Sequence, residues 1–103
     1  MSDSLILPEE CADMAEVRAG VDATDRALMA LLDMRFAYMR AAARIKPSRE
    51  EVRDEVRKAE VLANARKDAE ARDLPAEALA NVWDLLVETS IAYEAEEWDR
   101  LQR

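Results

Sequence analysis

Apolar residues recur at intervals of three and four along three stretches of the chain, which is the spacing of one face of an α-helix. In the first stretch they are Val17, Val21, Leu28, Leu31, Leu32, Tyr38 and Met39. In the second they are Val52, Val56, Ala59, Leu62 and Ala63, and in the third Leu79, Val82, Trp83, Leu86, Val87, Ile91 and Trp98. The pattern predicts three amphipathic helices.

The prolines indicate where these helices begin and end. Pro8 ends a short extended N-terminal arm, and Pro47 keeps Lys46 out of the helical region, so the first helix should end there. Pro75 suits the first turn of a helix and follows a turn at residues 73–74. The predicted helices run from about Asp13 to Ile45, from about Glu50 to Arg72, and from Pro75 nearly to the C-terminus.

Composition supports an all-α fold with one domain over residues 1–103. The 103 residues include one glycine and three prolines, whereas alanine, leucine, glutamate and arginine are abundant. A first helix of about 33 residues would be about 50 Å long, which is more than one small bundle can cover. We therefore expect its far end to pack against a second copy of the chain in an intertwined helical homodimer.

Charge and residue usage exclude several classes of function. The net charge of −8 argues against a nucleic-acid surface, and no apolar run is long enough for a membrane span. A single cysteine, Cys11, permits no intrachain disulfide, which is consistent with a cytoplasmic protein. Histidine is absent, so the commonest general base and zinc ligand are missing. We predict no metal and no cofactor.

Arg35 is the most informative residue. Its neighbours one helical turn away are Leu31, Leu32, Tyr38 and Met39, so a permanently charged guanidinium lies within an apolar stripe. An unpaired buried charge is costly, and Arg35 should therefore bind an anion.

Lys46 and Arg18 extend this stripe. Lys46 lies about 20° from Arg35 on the same helical face, and Arg18 begins the stripe. Three cations in an acidic chain suggest a pocket for a small polyanion. Arg18 and Lys46 would be roughly 42 Å apart on one straight helix, so both can bind one small anion only if Arg18 comes from an antiparallel partner chain.

Three further residues are candidates for the same pocket. Arg57 follows the Pro47 turn, and Ser90 and Glu94 stand one turn apart on the third helix. The apolar residues around Glu94 should partly desolvate its carboxyl group and favour the neutral form, which can donate a hydrogen bond.

These residues resemble the all-helical chorismate mutase family. The pattern is Arg18-x-x-Val21-Asp22-x-x-Asp25-x-x-Leu28-x-x-Leu31-Leu32-x-x-Arg35, then Lys46, Val52-Arg53-Asp54-x-x-Arg57 and Ser90-x-x-x-Glu94. The resemblance implies an intertwined homodimer that converts chorismate to prephenate by a pericyclic [3,3] rearrangement. Such a step needs a clamped dianion and a stabilised oxygen, but no base, nucleophile or metal.

The resemblance also implies a role for each residue. Arg35 would hold one substrate carboxylate, and Arg18 of the partner subunit would hold the other. Lys46 would donate to the ether oxygen. Arg57 would support the carboxylate side, Asp54 would contact the ring hydroxyl, and Ser90 would lie close by.

The chain departs from the family at two positions. Glu94 stands where many members carry glutamine, and a carboxylate cannot donate to the ether oxygen. We therefore expect a protonated Glu94 and better activity at mildly acidic pH. Lys58 stands where a glutamate often binds the ring hydroxyl.

This second departure leaves room for a related activity. The isochorismate–pyruvate lyases share the fold and form salicylate, and Pro8-Glu9-Glu10-Cys11 followed by the Arg18 motif resembles that subgroup as well. We favour the mutase.

A non-catalytic helical dimer is the other alternative. In that case Arg35 would pair with a structural carboxylate such as Asp22 or Asp25, Arg57 would lie on a solvated face, and Glu94 would belong to a surface acidic cluster.

Overall fold

A computed structural model describes residues 6–103. Three helices account for most of these residues: α1 (Met14–Ile45), α2 (Glu55–Ala71) and α3 (Ala76–Leu101). Two short 3-10 helices, Pro8–Glu10 and Arg49–Glu51, precede α1 and α2. The predicted all-α fold with a long first helix is confirmed. Residues 1–5 of the predicted N-terminal arm lie outside the described residues, and Pro8 begins a 3-10 turn.

The end of α1 follows from the Lys46–Pro47 sequence. The Lys46 amide still donates to the Ala42 carbonyl at 2.9 Å, but Lys46 itself is no longer helical. Pro47 has no amide hydrogen and disfavours a helical residue before it, so the ladder stops. The predicted end of the first helix at Ile45 is therefore confirmed.

The second helix begins later than predicted, at Glu55 and not near Glu50. Asp54 has extended dihedral angles, and its side chain accepts a hydrogen bond from the Arg57 amide at 3.0 Å. This is an N-cap, and it fixes the first helical residue. The preceding turn buries Val52, which is 5% exposed.

The turn between α2 and α3 uses a left-handed residue. Asp73 has a φ of 59°, and the Leu74 amide donates to the Ala69 carbonyl at 2.8 Å. Aspartate tolerates this conformation better than most residues, and the bond satisfies a carbonyl at the end of α2. Pro75 is the N-cap of α3, so the helix begins at Ala76, one residue after the predicted start at Pro75.

The chain divides into two compact units. The first ends at Phe36 and contains the N-terminal arm and the larger part of α1. There, apolar side chains of the arm and of α1 line a shallow groove: Ile6, Leu7, Pro8, Cys11, Val17 and Val21. The second unit runs from Ala37 to Arg103 and packs α2 against α3. The single domain over residues 1–103 stays a prediction.

Large apolar residues of α1 are exposed at heptad-like spacing. They are Met14, Val17, Val21, Leu28, Leu31, Tyr38 and Ile45. Leu31 is 67% exposed, and the buried apolar residues of the second unit are few and small. The stripe expected to face inward is thus uncovered in the single chain. Within residues 6–103, no helix combines the length and the apolar character that crossing a membrane requires.

Candidate active site

Lys46 and Glu94 form an ion pair in the second unit. Lys46 Nζ lies 2.7 Å from Glu94 Oε2, and it also donates to the Val52 carbonyl at 3.4 Å. Glu94 is 4% exposed, whereas the Lys46 side chain is 28% exposed. The structure therefore brings together two of the predicted catalytic residues, and the expected desolvation of Glu94 is confirmed.

The hydrogen bonding of Glu94 is incomplete. Its Oε2 atom is buried and accepts no hydrogen bond from the described residues, although Lys46 Nζ is only 2.7 Å away. The distance makes this contact an ion pair, but its angles are poor for a hydrogen bond. A buried oxygen without a well-aligned donor is costly unless a further donor reaches it.

Ser90 lies one turn before Glu94 on α3 and is also buried. Its hydroxyl donates to the Leu86 carbonyl at 2.7 Å, which is a common bond for serine within a helix. The structure places Ser90 on the Glu94 face of α3, as the four-residue spacing predicts.

Trp98 lies one turn after Glu94 and contacts the backbone of Lys46. Its indole Nε1 donates to the Lys46 carbonyl at 3.3 Å. The sequence pattern placed Trp98 on the apolar face of the third helix and gave no indication of this bond. The spacing of four residues between Glu94 and Trp98 was the available signal, because it puts both side chains on one face of α3.

A network of charged residues joins the start of α2 to α3. Arg53 donates to both Glu88 oxygens, at 2.7 and 3.1 Å, and Lys58 Nζ lies 2.7 Å from Glu88 and 3.0 Å from Asp84. Hydrogen bonds from Arg53 and then Lys58 lower the pKa of Glu88 to about 2. Hydrogen bonds to Glu88 and then Asp84 raise the pKa of Lys58.

This network was not anticipated from the sequence. The spacing of Asp84 and Glu88 was a signal that two carboxylates share one face, but nothing in the sequence identified Lys58 as their partner. Ion pairs to α3 therefore hold Lys58 in place. By the family resemblance, many members have a glutamate at this position.

Asp54 and Arg57 have structural contacts of their own. Asp54 caps α2 through the Arg57 amide, and the Arg57 side chain pairs with Glu60 one turn along the helix. The Arg57 side chain is 62% exposed, so its surroundings resemble those of the solvated-face alternative. The expected contacts of both residues with a substrate stay predictions.

Arg18 and Arg35 lie on the part of α1 that belongs to the first unit. Arg18 is exposed and Arg35 is half-buried. Their expected roles as carboxylate ligands, with Arg18 supplied by the partner subunit, also stay predictions.

Fold and site together define a small all-α protein with a buried carboxylate and an ammonium group held beside it. Residues 17–95 match the family model of chorismate mutase type II, and the chain therefore belongs to that family. The match spans most of α1, all of α2 and most of α3, and it includes every predicted site residue. No curated protein matches the chain significantly. The family resemblance inferred from the sequence is confirmed.

Proposed function

We propose that this protein is a chorismate mutase that converts chorismate to prephenate by a pericyclic [3,3] rearrangement. The observation that carries the proposal is the pair of Lys46 and buried Glu94, at two positions where the family motif expects the groups that contact the ether oxygen. The pair lies within the region that matches the family.

The reaction breaks the ether C–O bond while a C–C bond forms, and negative charge develops on the ether oxygen. Lys46 Nζ is a preorganised cationic donor, and a fixed donor aimed at developing charge stabilises the transition state more than the ground state. Removal of one such donor costs about 10²–10³ in kcat. Electron pairs move within the substrate alone, so the protein needs to supply no nucleophile or base.

Glu94 is the second group that we place at the ether oxygen. As a carboxylate it can only accept, so the proposed role requires protonation, with the hydroxyl donating to the ether oxygen.

A homodimer completes the proposed site. The uncovered apolar stripe on α1 includes Leu28, 51% exposed, and Leu31, 67% exposed. Such contiguous apolar surface is unusual on a soluble monomer, and its heptad-like spacing fits a helix of a second copy. Antiparallel pairing of two α1 helices would bring Arg18 of the partner subunit toward the Arg35 side of each site.

The first experiment is a turnover assay with chorismate at pH 5 and pH 7.5, with isochorismate assayed in parallel. Prephenate from chorismate, formed faster at pH 5, supports the mutase and the protonated Glu94. Lys46→Met should lower kcat by about 10²–10³. The matched control is Lys67→Met, because Lys67 forms no ion pair within residues 6–103. Turnover of neither substrate by the wild-type protein refutes the proposal.

One observation favours a second candidate, the isochorismate–pyruvate lyase. Position 58 is a lysine, so it offers no carboxylate to a ring hydroxyl, and its ammonium is already paired with Glu88 and Asp84. Salicylate and pyruvate from isochorismate, without prephenate from chorismate, would identify this activity. A non-catalytic dimer would turn over neither compound, and its melting temperature would not respond to dianionic ligands.

A further inference from the structure

We propose that Trp98 is a positioning residue that holds the Lys46 backbone in place, so that the Lys46 ammonium stays at the ether oxygen during the reaction. The effect on kcat that we expect from Trp98 depends on the proposed function. The structural part of the proposal rests on the hydrogen bond from Trp98 Nε1 to the Lys46 carbonyl at 3.3 Å.

The Lys46 carbonyl needs an external donor. It lies just past the last residue of α1, where carbonyls have no partner within the helix. Trp98 supplies that donor from α3. An indole N–H can only donate, so this bond fixes which way the Lys46–Pro47 peptide faces.

The same face of α3 holds the other end of Lys46. Glu94 lies one turn before Trp98 and contacts the Lys46 ammonium at 2.7 Å. Lys46 is therefore held twice, by its carbonyl and by its ammonium. A further link, Arg49 Nε to Asp99 at 2.8 Å, joins the next turn to α3, but both side chains are about half exposed and the pair should contribute little.

The two contacts should respond differently to substrate. In the proposed mechanism the ether oxygen takes the place of Glu94 as the main partner of the ammonium, whereas the indole contact lies on the backbone and persists. Without the indole, the Lys46 turn gains freedom when the ion pair is weakened. Small misplacements of a catalytic group reduce the rate strongly, so the loss should appear in kcat and not in KM.

The test is Trp98→Phe, which keeps an aromatic ring and removes the N–H. The matched control is Trp83→Phe, because the Trp83 indole has no hydrogen bond within the described residues. We expect kcat to fall about tenfold in Trp98→Phe, with KM within about twofold, and neither to change in Trp83→Phe. If Trp98→Phe does not fold, a tryptophan analogue with sulfur in place of the N–H provides the same comparison.

Two further measurements distinguish a positioning role of Trp98 from a merely structural one. In a Lys46→Met background, where residue 46 has no side-chain donor, adding Trp98→Phe should lower kcat no further, because the indole acts through the Lys46 ammonium. Losses that multiply would overturn the proposal. So would an unchanged kcat in Trp98→Phe alone.

The second measurement does not depend on turnover. The ¹⁵Nζ resonance of Lys46 should shift or broaden in Trp98→Phe and stay unchanged in Trp83→Phe. An unchanged resonance in Trp98→Phe overturns the proposal. If the wild-type protein acts on neither chorismate nor isochorismate while this resonance responds as expected, the proposed function fails and the positioning contact stands.

Discussion

Replacement of Lys46 by methionine should destabilise the protein as well as inactivate it. The substitution keeps the length of the aliphatic chain but removes the ammonium, which leaves Glu94 buried without a countercharge. Glu94 has a side chain that is 5% exposed, so water cannot readily replace the lost partner.

The magnitude follows from the burial of the two partners. Removal of one member of a fully buried ion pair costs about 3–5 kcal/mol, whereas an exposed pair contributes about 0–1 kcal/mol. With Lys46 28% exposed and Glu94 buried, we expect a loss of ~2.5 kcal/mol in the free energy of unfolding. For a domain of this size that corresponds to a decrease of ~10–20 °C in Tm.

The assay is urea unfolding at one fixed protein concentration, since the stability of the proposed dimer would depend on concentration. The control Lys67→Met should stay within ~0.5 kcal/mol of the wild-type protein. The double variant Lys46→Met/Glu94→Leu should recover most of the loss, because a well-packed apolar pair can replace a buried ion pair. A Lys46→Met protein as stable as the control, or a double variant whose losses simply add, would refute this reasoning.

Four other predictions test separate contacts. Asp54→Ala should cost ~1 kcal/mol of unfolding free energy through loss of the α2 cap and Asp54→Asn only a few tenths, as measured by chemical denaturation; equal losses would contradict the capping role. The pKa of Glu88 is depressed to about 2 from 4.5, so its stabilising effect should be present above pH 5 and decline as the pH falls from 4.5 to 2. The stability difference between wild type and Glu88→Gln, followed by denaturation against pH, should shrink over that range; a constant difference would exclude this linkage. Leu31→Glu should convert the proposed dimer to monomers in sedimentation experiments, and an unchanged mass would remove Leu31 from the interface. Glu94→Gln should flatten the pH–rate profile, because an amide donates without being protonated; a profile like that of the wild type would exclude the proposed proton on Glu94.

The helical architecture and the end of α1 could be predicted from the sequence because local rules determine them. The three- and four-residue spacing of apolar residues identifies an amphipathic helix wherever the chain folds, and Pro47 ends α1 by its own covalent structure. The desolvation of Glu94 could also be predicted from the sequence, since its apolar neighbours occupy the same face of one helix. The later start of α2 was missed because an N-cap at Asp54 competed with a continuous helical pattern.

Tertiary structure alone decided how the charged groups are paired. Among 15 basic and 23 acidic residues, many pairings are compatible with the sequence. Only the packing of α2 against α3 selects Glu88 as the partner of Arg53 and Lys58, and only the position of α3 beside the Lys46 turn brings Glu94 and Trp98 to that residue. Periodicity identifies the face on which a side chain lies but not what lies opposite, because ion pairs and long-range hydrogen bonds depend on distances between segments far apart in the chain.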